Sequence, residues 1–513
     1  MIRLHHRRVC VALAALAVPL ALAACGTRQS RAAVIAGAGG GPVTIAGGQA
    51  LAPDTSGTGT SAAPDATVPT SAAGGAIVGS GSGGDGGTGL GTGSGSGSGT
   101  STGRGTTPVT TSSAPAGTTP TSSAPIGSAA PSASTRSSGA GQPCTKQGSP
   151  IVFGQVGTFS GIIGAAIGAG QPGLKVWAAA TNAAGGIACH PVQVVSIDDT
   201  GDAGKAQSAV QQLVESDHAV AINALVPVTL NGVQPYVDAH HIPVVGGDLV
   251  ADAWTHDQYL FPQGPSFEAV IYGFLKYAAM TGGHKYSFFY CIEATPCSAA
   301  QDYVTKKGLA QKAGLTGVGD QPISLAGANF TQQCQTAKSK GADVVIVGAG
   351  ATALTAIARD CANQGYHPKI ITESLAAVTS LQSNPQLDGL GISNTQFPWT
   401  DSLNPAQAAF QAAMQKYAPT VDNSGAAAAA WTSGELLKKA ILNLGADAYG
   451  AITPALVLKG LATITNEKLG GLTAGTISFH AGATPTINRC AYISVIQGGK
   501  WVDPLNGQQI CEP

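Results

Sequence analysis

Ile151-Val-Phe-Gly-Gln-Val-Gly157 is a β-branched run of strand length, and it stops at a Gly/Ser loop, Thr158-Phe-Ser-Gly161. The stretch after it, 174–183, is helical and ends at Gly185-Gly186, where a C-cap glycine belongs. A second strand at 192–197 and a second helix at 203–215 repeat the unit, the helix with apolar residues at helical spacing. The alternation continues through strands at 220–224, 242–245, 287–290, 342–347 and 369–372. Helices are expected at 233–239, 267–281, 299–313, 354–363, 405–417 and 427–444. Short apolar strands alternating with helices predict an α/β fold with parallel sheets covered on both faces. In such sheets ligands bind beyond the carboxyl ends of the strands. The loops there are 158–161, 226–231, 246–250, 292–298, 348–352 and 373–377.

The segment before the first strand has a different composition. From Gly26 to Pro143 the chain is mostly Gly, Ser, Thr, Ala and Pro, with no aromatic residue and no lysine. It cannot bury enough apolar surface to offset its ordering entropy, so a disordered tether is expected over 25–143. As a flexible coil it would reach about 60 Å root-mean-square, by the ~5–6 Å × √n rule. Its Thr/Ser/Pro part, 106–138, has the composition of an O-glycosylated stalk. Ahead of it lies a signal segment, 1–24, with basic Arg3, Arg7 and Arg8 and an apolar run from Val9 to Leu22. That run is too short to span a bilayer comfortably and suits a secretory h-region.

Formal net charge is −1 and only 10% of residues are charged. No basic stripe appears, so nucleic acid is not an expected partner. Besides Cys10 and Cys25 there are eight cysteines: Cys144, Cys189, Cys291, Cys297, Cys334, Cys361, Cys490 and Cys511. In an oxidising compartment an even count suggests disulfides. Eight cysteines allow about a hundred connectivities, of which pairing sequence neighbours is the simplest. No C-x-x-C pair or H-E-x-x-H helix suggests a metal site. No Gly-x-Ser-x-Gly elbow occurs in the folded region, and no histidine or cysteine stands out as catalytic. Neither enzyme activity nor a cofactor is expected. Gly348-Ala-Gly-Ala-Thr-Ala353 after a strand fits the G-x-G-x-x-A dinucleotide pattern. It lies deep in the chain, whereas such units usually open a domain, and a tight strand-to-helix turn lining a cleft is the preferred reading.

Two resemblances add to this. Leu22-Ala-Ala-Cys25 resembles the lipobox of bacterial lipoproteins, which implies acylation of Cys25 and a membrane anchor. Trp177-Ala-Ala-Ala-Thr-Asn-Ala-Ala-Gly-Gly-Ile187 and Asp198-Asp-Thr-Gly-Asp-Ala-Gly-Lys-Ala206 resemble type I periplasmic binding proteins, in particular the branched-chain amino acid (Leu/Ile/Val) binders of ABC importers. Ile242-Pro-Val-Val245, Gly365-Tyr-His-Pro368 and Gly471-Leu-Thr-Ala-Gly-Thr-Ile-Ser-Phe479 match in the same order. The resemblance implies two doubly wound parallel-sheet lobes joined by three crossovers, with the ligand between them. Lobe 1 would comprise 144–264 and 393–485, and lobe 2 would comprise 265–392 and 486–513.

The same resemblance implies a small polar ligand, amino acid-like, passed to an ABC permease by a monomer. A sensing or protein-interaction lipoprotein of the same fold is the alternative. By position, Thr229, Gly247 and Asp248 would sit where first-lobe loops hold a ligand carboxylate. Glu373 would sit where an acid meets the ligand ammonium. Ser160 and Gly350, each in a loop after a strand, complete the expected pocket. The loop after Tyr290 departs from the family pattern: Cys291 and Cys297 flank it, and the family's tyrosine is missing.

Overall fold

The computed structural model describes Cys144 and residues 146–513 except 376. The signal segment, Cys25 and the tether lie outside the described residues. The chain begins with β1 (Ile151–Gly157), α1 (Gly161–Ile167), α2 (Gly170–Ala183), β2 (Val192–Asp198), α3 (Ala203–Gln211), β3 (Ala221–Leu225), α4 (Leu230–His240), β4 (Val244–Gly247) and β5 (Leu260–Phe261). These strands form one five-stranded parallel sheet in the order β2-β1-β3-β4-β5. The chain then crosses to a second sheet through α5 (Phe267–Met280), β6 (Lys285–Cys291), α6 (Thr295–Val304), α7 (Leu309–Ala313) and β7 (Thr316–Ile323). It continues through α8 (Thr331–Ser339), β8 (Val344–Gly348), α9 (Ala351–Ala362), β9 (Lys369–Glu373) and β10 (Gly391–Asn394).

A second crossing returns it to the first sheet, where α10 (Pro405–Tyr417) and α11 (Gly425–Leu442) pack on α2, and α12 (Pro454–Leu461) packs on α11. A third brings it back as β11 (Cys490–Gln497), β12 (Lys500–Val502) and β13 (Ile510–Cys511). The second sheet runs β12-β11-β10-β9-β8-β6-β7, with β13 on β11. Its β11, β12 and β13 pairings are antiparallel and the others parallel. This is the type I periplasmic-binding-protein fold, two lobes joined by three crossovers.

Buried polar side chains tie the returning helices to the first sheet. Gln155 donates to Asn223 Oδ1 at 3.0 Å, and Asn223 donates to Ser433 Oγ of α11 at 3.0 Å. Trp177 Nε1 donates to Glu435 at 2.9 Å. Gly434 lies flat on the Trp177 ring, where an added Cβ would sit 2.1 Å from Cδ2. A larger residue there would force the two helices apart.

Three expectations differ from the structure. Residues 161–167, of which only Gly161 was placed in a loop and the rest were given no element, form α1; the Gly-Ile-Ile-Gly-Ala-Ala-Ile heptad is too short for a periodicity to show. The helix expected over 299–313 is two helices, α6 and α7, separated near Gly308, whose φ is +72°. Strand β7 was not expected because Thr-Gly-Val-Gly-Asp-Gln-Pro-Ile has poor strand propensity. It lies at the sheet edge, where proline is tolerated. The eight cysteines pair as sequence neighbours: Cys144–Cys189, Cys291–Cys297, Cys334–Cys361 and Cys490–Cys511.

Candidate functional site between the lobes

The loops at the carboxyl ends of both sheets face a cavity of about 140 Å³. The first lobe contributes Ile163, Ala166 and Ile167 of α1, Pro227 and Val228 after β3, and Val250 after β4. The second lobe contributes Phe267, Ile271 and Phe274 of α5 together with Phe288 of β6. Cys291 and Cys297, joined as a disulfide, form another part of its wall. Gly348, Ala349 and Gly350 line it after β8, and Glu373 and Leu375 after β9. Hydrocarbon dominates the surface. Among the described residues that line it, Glu373 is the only one with an ionisable side chain, apart from the disulfide-bonded cysteines.

The lobes approach closely around this cavity. A Cβ added at Gly350 would lie 3.5 Å from Ala166 Cβ, ordinary van der Waals contact across the cleft. The Tyr303 hydroxyl of α6 donates to Asp252, in the short helical turn after β4. Burial, and then the Asp252 carboxylate that accepts its proton, push the Tyr303 phenol well above its ordinary range.

Of the six expected site residues, two line the cavity. Gly350 is the N-cap position of α9, and Glu373 ends β9 with Oε2 accepting the Leu375 N–H at 2.5 Å. Thr229, Gly247 and Asp248 do not line it; their polar groups face other loops of their own lobe. Thr229 is fully buried and its hydroxyl donates to Asp199 Oδ2 at 2.5 Å. Asp199 also accepts from the Thr158 hydroxyl at 2.7 Å and the Gly201 N–H at 2.8 Å, so one buried carboxylate ties together the loops after β1, β2 and β3. Asp248 accepts from Val226 N–H at 2.7 Å and Val250 N–H at 3.0 Å, fastening the β3 loop to the β4 loop. Burial pushes its carboxyl up to about 6, against those hydrogen bonds.

Gly247 exchanges hydrogen bonds with the Gln263 amide, at 3.1 and 2.7 Å. A Cβ there would sit 2.0 Å from Ala224 O, so the glycine is required by packing alone. Ser160 precedes α1 as its N-cap and is exposed. Burial raises the neighbouring Asp198 carboxyl, but the Ser160 hydroxyl and the Thr200 and Phe159 N–H groups outweigh it and hold it below the ordinary range.

The cavity borders loops expected from the sequence, but most of the side chains that line it are not among the six expected residues. The missed residues are apolar: the α1 face, the α5 phenylalanines and the disulfide wall. The cysteine-flanked loop after Tyr290 was the one signal that this site is built differently.

Residues 150–500 match the periplasmic binding protein family, which is more than half of the chain. The chain belongs to the periplasmic binding protein family. Membership implies an extracytoplasmic protein that binds small molecules, and not an enzyme. A search of curated proteins finds no match.

Solved structures of the same fold include a branched-chain amino acid ABC transporter protein from Thermus thermophilus with bound valine. It is 14% identical, with TM-score 0.63, over 71% of this chain and 97% of that one. A fatty acid ABC transporter substrate-binding protein from Thermomonospora curvata is 18% identical, with TM-score 0.58, over 72% and 97%. An R. palustris solute-binding protein in complex with benzoate is 16% identical, with TM-score 0.57, over 71% and 98%. At these identities the likeness is one of fold. Among the described residues no helix is long and apolar enough to cross a membrane.

Proposed function

We propose that this chain is a lipid-anchored receptor that captures a small molecule between its lobes and presents it to an ABC importer. The observation that carries the reading is the cavity lined by both lobes at the carboxyl ends of both sheets. A ligand there touches both lobes at once, so it binds the closed state more tightly and shifts the equilibrium toward it. Acylation of Cys25 and the long Gly/Ser/Thr segment after it would hold the receptor at a membrane. Structural neighbours named as binding valine, a fatty acid or benzoate are consistent with such a receptor.

The amino acid expectation rested on Thr229, Gly247, Asp248 and Glu373. Three of these serve the loops of their own lobe, and the hydrocarbon lining favours a ligand with an apolar body. Native mass spectrometry of the freshly purified mature chain tests the reading. A small molecule released on unfolding, and lost from an Ala166→Phe variant that keeps its melting temperature, is the expected outcome. A ligand retained by that variant would move the site elsewhere.

A further inference from the structure

We propose that the part of the ligand held in the cleft is uncharged and compact: an aromatic ring or a short branched hydrocarbon, with no carboxylate. The inference rests on the cleft cavity being the binding site and names the chemistry that site accepts. Size sets the first limit. An apolar cavity of about 150 Å³ takes up benzene, and this one is about 140 Å³. Side chains from both lobes, such as Ile163, Val228, Phe274 and Phe288, match one ring or its aliphatic equivalent.

Charge sets the second limit. An ionised carboxylate moved into such surroundings needs a partner, or it costs several kcal/mol. No lysine, arginine or histidine is among the described residues lining the cavity. The N-terminus of α9 opens at Gly350 and offers positive potential there. The protein has already placed an acid beside it. Strands β8 and β9 are parallel with Ile346 opposite Ile371, so two residues on, Glu373 comes level with Gly348. A ligand carboxylate would meet another carboxyl group there and find no cationic side chain among the described lining residues. A neutral ligand avoids both costs.

Calorimetric titration of the mature full-length protein at pH 7 with matched pairs is the test. The probes are benzyl alcohol against benzoate, and isoamyl alcohol against isovalerate and valine. The neutral member should bind about tenfold tighter or more in each set. Glu373→Gln should narrow the gap by improving the carboxylates. Carboxylates that bind as tightly as the alcohols, with Ala166→Phe or Val228→Trp abolishing the binding, would overturn the ligand class and leave the cleft site standing. If no probe binds, or if neither folded variant affects binding, the cleft assignment falls and the ligand class with it.

Discussion

Asp248 is buried with a carboxyl pushed up to about 6, although two backbone N–H groups donate to it. Burial outweighs the hydrogen bonds because a charge in a medium of low polarity costs more than two donors return. The native state therefore holds this proton more tightly than the unfolded chain, whose aspartates titrate near ~4. Below the unfolded value both states are protonated. As pH rises toward the native value, only the unfolded chain has released its proton, and stability falls. Above it the loss is complete. On the order of 2–3 kcal/mol should disappear between about pH 4 and pH 6. The melting temperature of wild type should fall relative to that of Asp248→Asn as pH rises across that range, because asparagine stands in for the neutral acid and does not titrate. Parallel curves would mean that Asp248 does not titrate there.

At the scale of elements, α6 closes the cleft from the second lobe. Its Tyr303 hydroxyl reaches Asp252 on the first lobe, and its Cys297 is bonded to Cys291 at the end of β6. The disulfide joins the start of α6 to the sheet edge of the cavity, while the tyrosine bridges to the opposite lobe. A hydrogen bond to a charged group contributes about 1.5–3 kcal/mol. Since this one spans the lobes, its loss should lower the population of the closed state. Tyr303→Phe should weaken ligand binding by about tenfold, mostly through faster release, while the melting temperature of the unliganded protein changes little. Stopped-flow measurement of association and dissociation checks this. An unchanged dissociation rate would remove the bridge from the closure mechanism.

At the scale of the whole molecule, the binding fold occupies the last 370 residues or so, and the proposed export signal and lipid attachment at Cys25 precede it. Two or more acyl chains are needed for stable anchoring, because a single one binds only marginally. Cys25→Ser should therefore leave the precursor unprocessed or free the protein from the membrane, read by fractionation and by intact mass. A processed and membrane-bound Cys25→Ser protein would remove the lipid anchor from the proposed function.

The alternation of short apolar strands with helices made parallel α/β sheets legible from the chain alone, and the resemblance carried by Trp177–Ile187 and Asp198–Ala206 implied the two lobes. The alternation is a local pattern, repeated along the chain as buried parallel sheets require. The same patterns pointed to the ends of the strands as the ligand site, which follows from topology and needs no side-chain detail. Which side chains face the ligand was not local. Thr229 and Asp248 sit in the expected loops, although a carboxylate at 248 departs from an anion-binding loop, and their polar groups turn toward Asp199 and toward the backbone of Val226 and Val250. Ile163, Phe274 and Phe288 read along the chain as ordinary core residues, and come together around one cavity only when α1, α5 and β6 are packed. Hydrogen-bond satisfaction and packing are decided by neighbours distant in sequence. The chain pointed to the ends of the strands, by topology alone, and the tertiary structure decided that the cavity there is lined by hydrocarbon, because packing brings distant apolar side chains together.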